Sequence, residues 1–367
     1  MAVMSEKQAA PDYEEFLKTF TRTCLQKGLL DRPDSLELRD SCDGLFDQPT
    51  LLRFLTARKF DNDEAVKHFE AAHKFREEKH IIRLYDLIQI ADFESARSMV
   101  SVKVFIGNVV CLTYSKFFHW TGRRGKEGHP ICFFDLDCLD KSTLARWDTS
   151  STAAYWHYSQ IDTAPPNPHV LQLTSVFIDS LSRFVMPLCS MMPDRVGQSG
   201  PITGSIYLAD GSNIGLKMAW SVKYFAQHVS WLLSTCYPET IEKIFVCNVP
   251  SYFPTVWRYL KPYVDPFTAQ KVVFLLPSEV LPTLREYVDD ANIPVQLGGG
   301  HSFTHGQLPD LEDGIQQYLG LDDTNRALPQ GPIKWIQETD GRKTALAVGS
   351  EAGSERNDRI ATVRVSQ

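Results

Sequence analysis

Hydrophobic positions along the chain change rhythm near residue 130. Before about residue 85, apolar and charged side chains alternate at helical spacing, first over Tyr13 to Lys27. A second helix is expected over Thr50 to Lys59, directly after Pro49. Asp61 with Glu64 resembles a capping box, opening a helix to about Lys79 with Ala65, Phe69 and Ala72 along one face. From Pro130 onward, near-continuous apolar runs take over: ICFFDLD (131–137), SIYLAD (205–210), KIFVCNV (243–249) and KVVFLL (271–276). Runs of this kind are typical of a parallel sheet covered by helices. The covering helices are expected at Leu171 to Cys189, Leu216 to Cys236 and Phe253 to Leu260. The pattern describes an α/β protein with a helical N-terminal domain at 1–99 and a mostly parallel sheet domain at 117–310.

Between them, 100–116 carries the apolar, β-branched run VSVKVFIGNVVCLTYS and reads as an insertion: an extra strand or hairpin, or sequence foreign to the folded unit. A second inserted loop is expected over Asp148 to His169, where TAPPNPH is a loop signal. Residues 311–340 form a C-terminal extension, and 341–367, without aromatics and with little apolar periodicity, are expected to be disordered.

The stretch from Tyr237 to Lys271 holds the most chemistry. Glu239, Thr268 and Lys271 stand at its edges, and nearly everything between is apolar. A few polar groups beside a large greasy surface suit a ligand with a small charged head and a long hydrocarbon body. Phe253, Trp257, Leu260 and Val264 repeat at helical spacing, while Pro262 and Pro266 interrupt the hydrogen-bond ladder and create hinge points. Read alone, that face also fits an ordinary buried core helix.

Composition narrows the classes. A net charge of −7 argues against a nucleic-acid binder. No apolar run reaches the ~20 residues that span a bilayer, and the N-terminus lacks the pattern of a signal peptide. The eight cysteines are scattered without a CxxC pair and read as buried thiols of a reduced, cytoplasmic protein. Enzymatic signatures are lacking: GQSGP (197–201) is not a nucleophile elbow, and the glycines of TGRRGKEGHP lack a phosphate-loop ending. His301 and His305 have no acidic or Cys partner nearby in sequence, so no metal site is expected.

LLRFLTARKFDNDEAVKHFEAAHKFRE (51–77), the stretch at 237–275 and NIPVQLGG (292–299) resemble the CRAL-TRIO lipid-binding family, most of all its fungal phosphatidylinositol/phosphatidylcholine transfer branch. The resemblance implies an apolar pocket floored by the sheet and covered by a mobile helical lid at Phe253 to Lys271. Acyl-chain contacts are then expected from Phe253, Val256, Trp257, Leu260, Val264 and Phe267. It also implies a phosphatidylinositol headgroup site at Arg58, Lys59, Glu239, Thr268 and Lys271. The cations neutralise the phosphodiester, Thr268 donates a hydroxyl, and Glu239 accepts from inositol hydroxyls. Without the resemblance, Arg58, Lys59 and Lys271 read as ordinary solvated charges.

In the same family a Ser and a Thr hold the choline lipid. Ser205 matches the first and Tyr207 replaces the second, which puts choline-lipid binding in doubt. The expected function is non-enzymatic phosphatidylinositol transfer and presentation, with no cofactor and the phospholipid itself as ligand. The protein is expected to be monomeric, without nucleic-acid partners, to visit Golgi, endosomal or endoplasmic-reticulum membranes as a peripheral protein, and to hand lipid to lipid kinases. Carriage of a sterol, tocopherol or retinoid, and an α/β hydrolase, remain as alternatives.

Overall fold

The structure is a computed structural model that describes residues 13–31, 39–97, 105–106, 109–110, 118–136, 170–195, 200–212, 214, 223–321 and 327–364. Five helices come first: α1 (Tyr13–Gln26), α2 (Gln48–Ala57), α3 (Asn62–Glu78), α4 (Ile81–Leu87) and α5 (Ile90–Arg97). Asp47 caps α2 by accepting from the Thr50 amide, and Asp61 caps α3 by accepting from the Glu64 amide. Leu17, Phe20, Phe54, Phe69 and Ala72 close into one core among α1, α2 and α3.

The sheet is built from β1 (His119–Arg124), β2 (Pro130–Asp135), β3 (Ser205–Asp210), β4 (Ile241–Cys247) and β5 (Val272–Phe274), in that spatial order. Only the β1–β2 pair is antiparallel. The helices beside it are α6 (Val170–Ser180), α7 (Met186–Met191), α8 (Lys223–Cys236), α9 (Phe253–Leu260), α10 (Pro266–Gln270), α11 (Pro277–Tyr287) and α12 (Asp313–Leu319). A π-helical turn, Leu181–Val185, joins α6 to α7, so the helix expected over 171–189 is continuous but locally widened.

At the inserted segment, Phe105–Ile106 pairs antiparallel with Val109–Val110. The rest of 100–116, and the loop expected over 148–169, lie outside the described residues.

The tail departs from expectation. Residues 341–367 were expected to be disordered, yet β7 (Lys343–Ala347) pairs antiparallel both with β6 (Ile333–Gln337) and with β8 (Asp358–Val363), in the order β8-β7-β6. The extension and the tail are therefore one sheet, and a boundary at 340 would cut the turn between β6 and β7. The signal escaped the sequence because β7 is central and its apolar side chains are small. Ala345 and Ala347 are fully buried without the alternation that marks a half-exposed strand. Trp335 on β6 anchors the sheet by donating from Nε1 to the Phe184 carbonyl at 3.0 Å.

Four charged groups join the three regions. Arg183 of the π-helical turn pairs with Asp40, Lys334 of β6 lies 2.8 Å from Asp86, and Lys334 lies 3.3 Å from Asp40. The Arg183 guanidinium also stacks over the Tyr85 ring at 4.2 Å.

Candidate functional site

Local backbone geometry brings the polar residues together. After α2 the chain turns through Lys59 and Phe60, both at positive φ, before Asp61 restarts it as α3. The turn sets Arg58 against the first turns of α3. After α8, Tyr237 and Pro238 lead to Glu239, which is held at φ 55 just ahead of β4. A non-glycine residue in that region is strained and must be held by its surroundings. Asp265 caps α10 by accepting from the Phe267 and Thr268 amides, both at 3.0 Å, and Lys271 ends that helix.

These segments enclose a cavity of about 390 Å³. Arg58, Glu239, Thr268 and Lys271, four of the five residues expected at the headgroup, line it. Lys59 does not: its side chain is exposed at the left-handed turn and points elsewhere. Lys271 Nζ donates to Glu239 Oε2 at 2.7 Å and to the Ile241 carbonyl at 2.6 Å. Arg58 makes no ion pair among the described residues.

Three further residues of the wall, Glu64, Lys67 and His68, come from α3. With Ala71 they follow the i, i+3, i+4, i+7 spacing of one helix face, a signal present in the sequence but overshadowed by the capping box. Lys67 is held by Glu64 at 2.7 Å. Burial, reinforced by Arg58, pushes the His68 imidazole below its ordinary range. The ring is therefore neutral. Its Nε2 lies 2.8 Å from the Ser234 carbonyl and serves as the donor, which leaves Nδ1 as a buried acceptor without a partner among the described residues.

An apolar cavity of about 240 Å³ adjoins this mouth, with Thr268 and Leu233 common to both. Its floor is Ile244 and Val246 of β4 with Val272 and Phe274 of β5, and α8 supplies Phe225 and Val229. Phe253, Val256, Trp257, Leu260 and Val264, five of the six residues named for acyl-chain contact, line it. Phe267 does not join them: it lines the polar mouth and is 49% exposed. The segment 253–271, expected as a lid, is also not one helix. Lys261–Tyr263 is a 3₁₀ turn, Val264 is extended, and Pro266 starts α10. Phe253, Val256 and Leu260 pack in a small cluster with Ile214 and Val249, apart from the main cores.

A further lobe of about 110 Å³ continues between Phe134, Ile178, Leu181 and Tyr207. Tyr207 fills part of it with its ring, set edge-on to Phe118 at 4.8 Å. Burial first, then Cys132, pushes its phenol well above the ordinary range, so it stays uncharged. Ser205 is fully buried in the sheet, two residues before it. His301 and His305 go to different partners: His301 contacts Asp310 at 3.1 Å, and the His305 ring lies against His119.

Family models match this chain over residues 113–299, described as the CRAL/TRIO domain, and over residues 12–71, described as the CRAL/TRIO N-terminal domain. The SEC14 cytosolic factor of Candida glabrata is 26% identical over 69% of this chain and 70% of its own length. That of Eremothecium gossypii is 25% identical over 79% of this chain and 85% of its own length. An Arabidopsis thaliana protein named phosphatidylinositol/phosphatidylcholine transfer protein SFH11 is 23% identical over 81% of this chain and 65% of its own length.

Proposed function

This chain belongs to the CRAL/TRIO domain family, and we propose that it extracts, carries and presents phosphatidylinositol. One observation carries the reading: a guanidinium without an ion pair and an acceptor without a donor, among the described residues, stand at the mouth of an apolar cavity. Arg58 meets the phosphodiester, while His68 Nδ1 and Glu239 accept from inositol hydroxyls. The mouth balances Arg58, Lys67 and Lys271 against Glu64, Glu239 and Asp265, a near-neutral setting that suits a singly charged headgroup. The two relatives named SEC14 cytosolic factor and the plant protein named for phosphatidylinositol and phosphatidylcholine transfer support the same class.

The protein's contribution is to a barrier rather than to a bond. Two acyl chains of about 30 methylenes would cost on the order of 20–25 kcal/mol to expose to water, at ~0.8 kcal/mol each. At about 240 Å³ the main apolar cavity is smaller than the roughly 300–1,000 Å³ of drug-sized ligand pockets. A two-chain lipid therefore enters only when α9 moves outward. Phe267, exposed at the mouth, meets the bilayer surface in that step. The test is mass spectrometry of lipid extracted from the purified protein, with phosphatidylinositol transfer between vesicles. A sterol or other neutral lipid bound in its place, without phosphoinositide transfer, would overturn the reading.

Two smaller effects follow. His68→Phe keeps an aromatic ring against Phe54, whose ring centroid is now 4.9 Å from that of His68, but removes the Nδ1 acceptor and, with it, the Nε2 bond to the Ser234 carbonyl. Circular dichroism and a thermal melt separate the structural loss from the binding loss. Phosphatidylinositol affinity is expected to fall about three- to tenfold, the loss of roughly one net hydrogen bond. Unchanged affinity would remove His68 from the headgroup site. The second concerns Tyr207, whose ring occupies the lobe where a small hydroxyl residue would leave space. Phosphatidylcholine transfer is expected to be weak and to rise in Tyr207→Thr. Robust choline-lipid transfer by the unaltered protein would contradict this.

A further inference from the structure

Beyond the lobe that holds Tyr207 lies another chamber, of about 90 Å³. Phe93 and Arg97 of α5, His119 and Trp120 of β1, and Leu181 and Phe184 of the π-helical turn form its walls. Three independent features meet there. The first is the π-helical turn itself, a rare geometry that recurs at functional sites. The second is His119 Nε2, which is buried and has no hydrogen-bond partner among the described residues; such a group calls for a ligand or another explanation. The third is continuity with the lipid cavity. Phe118 lines this chamber and both apolar cavities, and with Phe177 and Leu181 it separates the chamber from the Tyr207 lobe.

The chemistry of the chamber restricts its occupant. Burial, then His305 and Arg97, push the His119 imidazole well below its ordinary range, so it is neutral, with one nitrogen donating and the other accepting. Arg97 is already committed, donating to Glu94 Oε2 at 2.9 Å and to the Gly306 carbonyl at 2.6 Å. No free charge faces the space from these residues, and an ionic group would arrive without a partner. An uncharged oxygen on a hydrocarbon chain satisfies both the apolar walls and the ring nitrogen.

We propose that this chamber is a second ligand subsite, reached from the acyl-chain cavity past Phe118, which takes a hydroxyl or ketone carried on a lipid chain and hydrogen-bonds it to His119 Nε2. The proposal rests on the lipid-cavity reading above. Its test uses delipidated protein titrated with stearate and with a series of hydroxystearates that differ in the position of the hydroxyl. One isomer is expected to bind about fivefold or more tightly than stearate, and to move the His119 imidazole nitrogen resonances where stearate does not. His119→Phe should lose that preference and keep its affinity for stearate. Without ligand it should melt no lower than the unaltered protein, because an apolar ring replaces an unsatisfied polar group.

Stearate binding with no hydroxyl preference, or a preference that survives in His119→Phe, overturns this proposal alone. Failure to bind stearate at all overturns the lipid-cavity reading and this proposal with it. A steep fall in the melting temperature of both His119→Phe and His119→Leu would assign the imidazole a structural task and also overturn it.

Discussion

Arg58→Ala is expected to weaken phosphatidylinositol binding ten- to a hundredfold while leaving the fold intact. The guanidinium has no carboxylate partner among the described residues, so its charge is available to a phosphate without breaking anything first. A charge-assisted hydrogen bond in a partly desolvated site contributes ~1.5–3 kcal/mol, and each 1.4 kcal/mol is about tenfold in affinity. Lys271→Ala should cost less, because Lys271 already donates to Glu239 at 2.7 Å and must share its charge with a bound phosphate. Arg58→Glu should cost more than either, since a fourth carboxylate would tip the balanced mouth negative. Lys59→Ala is the built-in control: it is adjacent in sequence but absent from the cavity wall, and should change binding less than twofold. Titration of the four variants with phosphatidylinositol vesicles, with circular dichroism to confirm folding, decides the matter. Equal effects of Arg58→Ala and Lys59→Ala would show that Arg58 acts only as a surface cation.

The contrast between Arg58 and Lys59 shows where sequence reasoning reached its limit. Both belong to the same motif, but the positive φ of Lys59 turns its side chain away from the cavity, and no residue pattern announces that turn. The polar residues at 239, 268 and 271 were legible because each interrupts or ends an apolar run. The apolar face of α9 was legible from its helical spacing. Phe267 was assigned to the acyl chains from its place in that run, yet the break at Val264 re-aims the following turn toward the mouth. The strands after residue 340 were missed because the apolar side chains of β7 are mostly alanines and those of β8 stand among charged and polar residues, a pattern that mimics a disordered tail. The chamber at His119 could not be read at all. It is assembled from α5, β1 and a π-helical turn far apart in sequence, and only the fold brings them together.

Arg76→Ala is expected to destabilise the protein by about 3–5 kcal/mol, because it would strand a buried carboxylate. Arg76 of α3 donates to both oxygens of Asp179 on α6, at 2.9 and 3.0 Å, and to the Tyr237 hydroxyl at 2.7 Å. Burial opposes its charge, but Asp179 and Tyr237 more than compensate and hold the guanidinium protonated above its ordinary range. For a chain of this size the loss corresponds to roughly 4–7 °C in melting temperature. Lys74→Ala, which removes an exposed cation two residues away, should shift it by less than about 2 °C. The paired change Arg76→Met with Asp179→Leu removes both charges of the pair, and similar replacements of buried pairs by apolar groups are often neutral. Arg53, buried beside them, loses the repulsion of Arg76 along with the support of Asp179 and keeps that of Asp47. The paired change should recover most of the lost stability, helped by the remaining Tyr237 bond to the Ser175 carbonyl at 3.2 Å. That bond also bears on binding, because Tyr237 opens the turn that holds Glu239 at the mouth. The paired variant should therefore bind phosphatidylinositol within about threefold of the unaltered protein. Thermal melts of the three variants test the first claim, and a melting temperature for Arg76→Ala no lower than that of Lys74→Ala would refute it. Full stability without headgroup affinity in the paired variant would instead mean that the guanidinium itself, rather than the tyrosine, fixes the Glu239 turn.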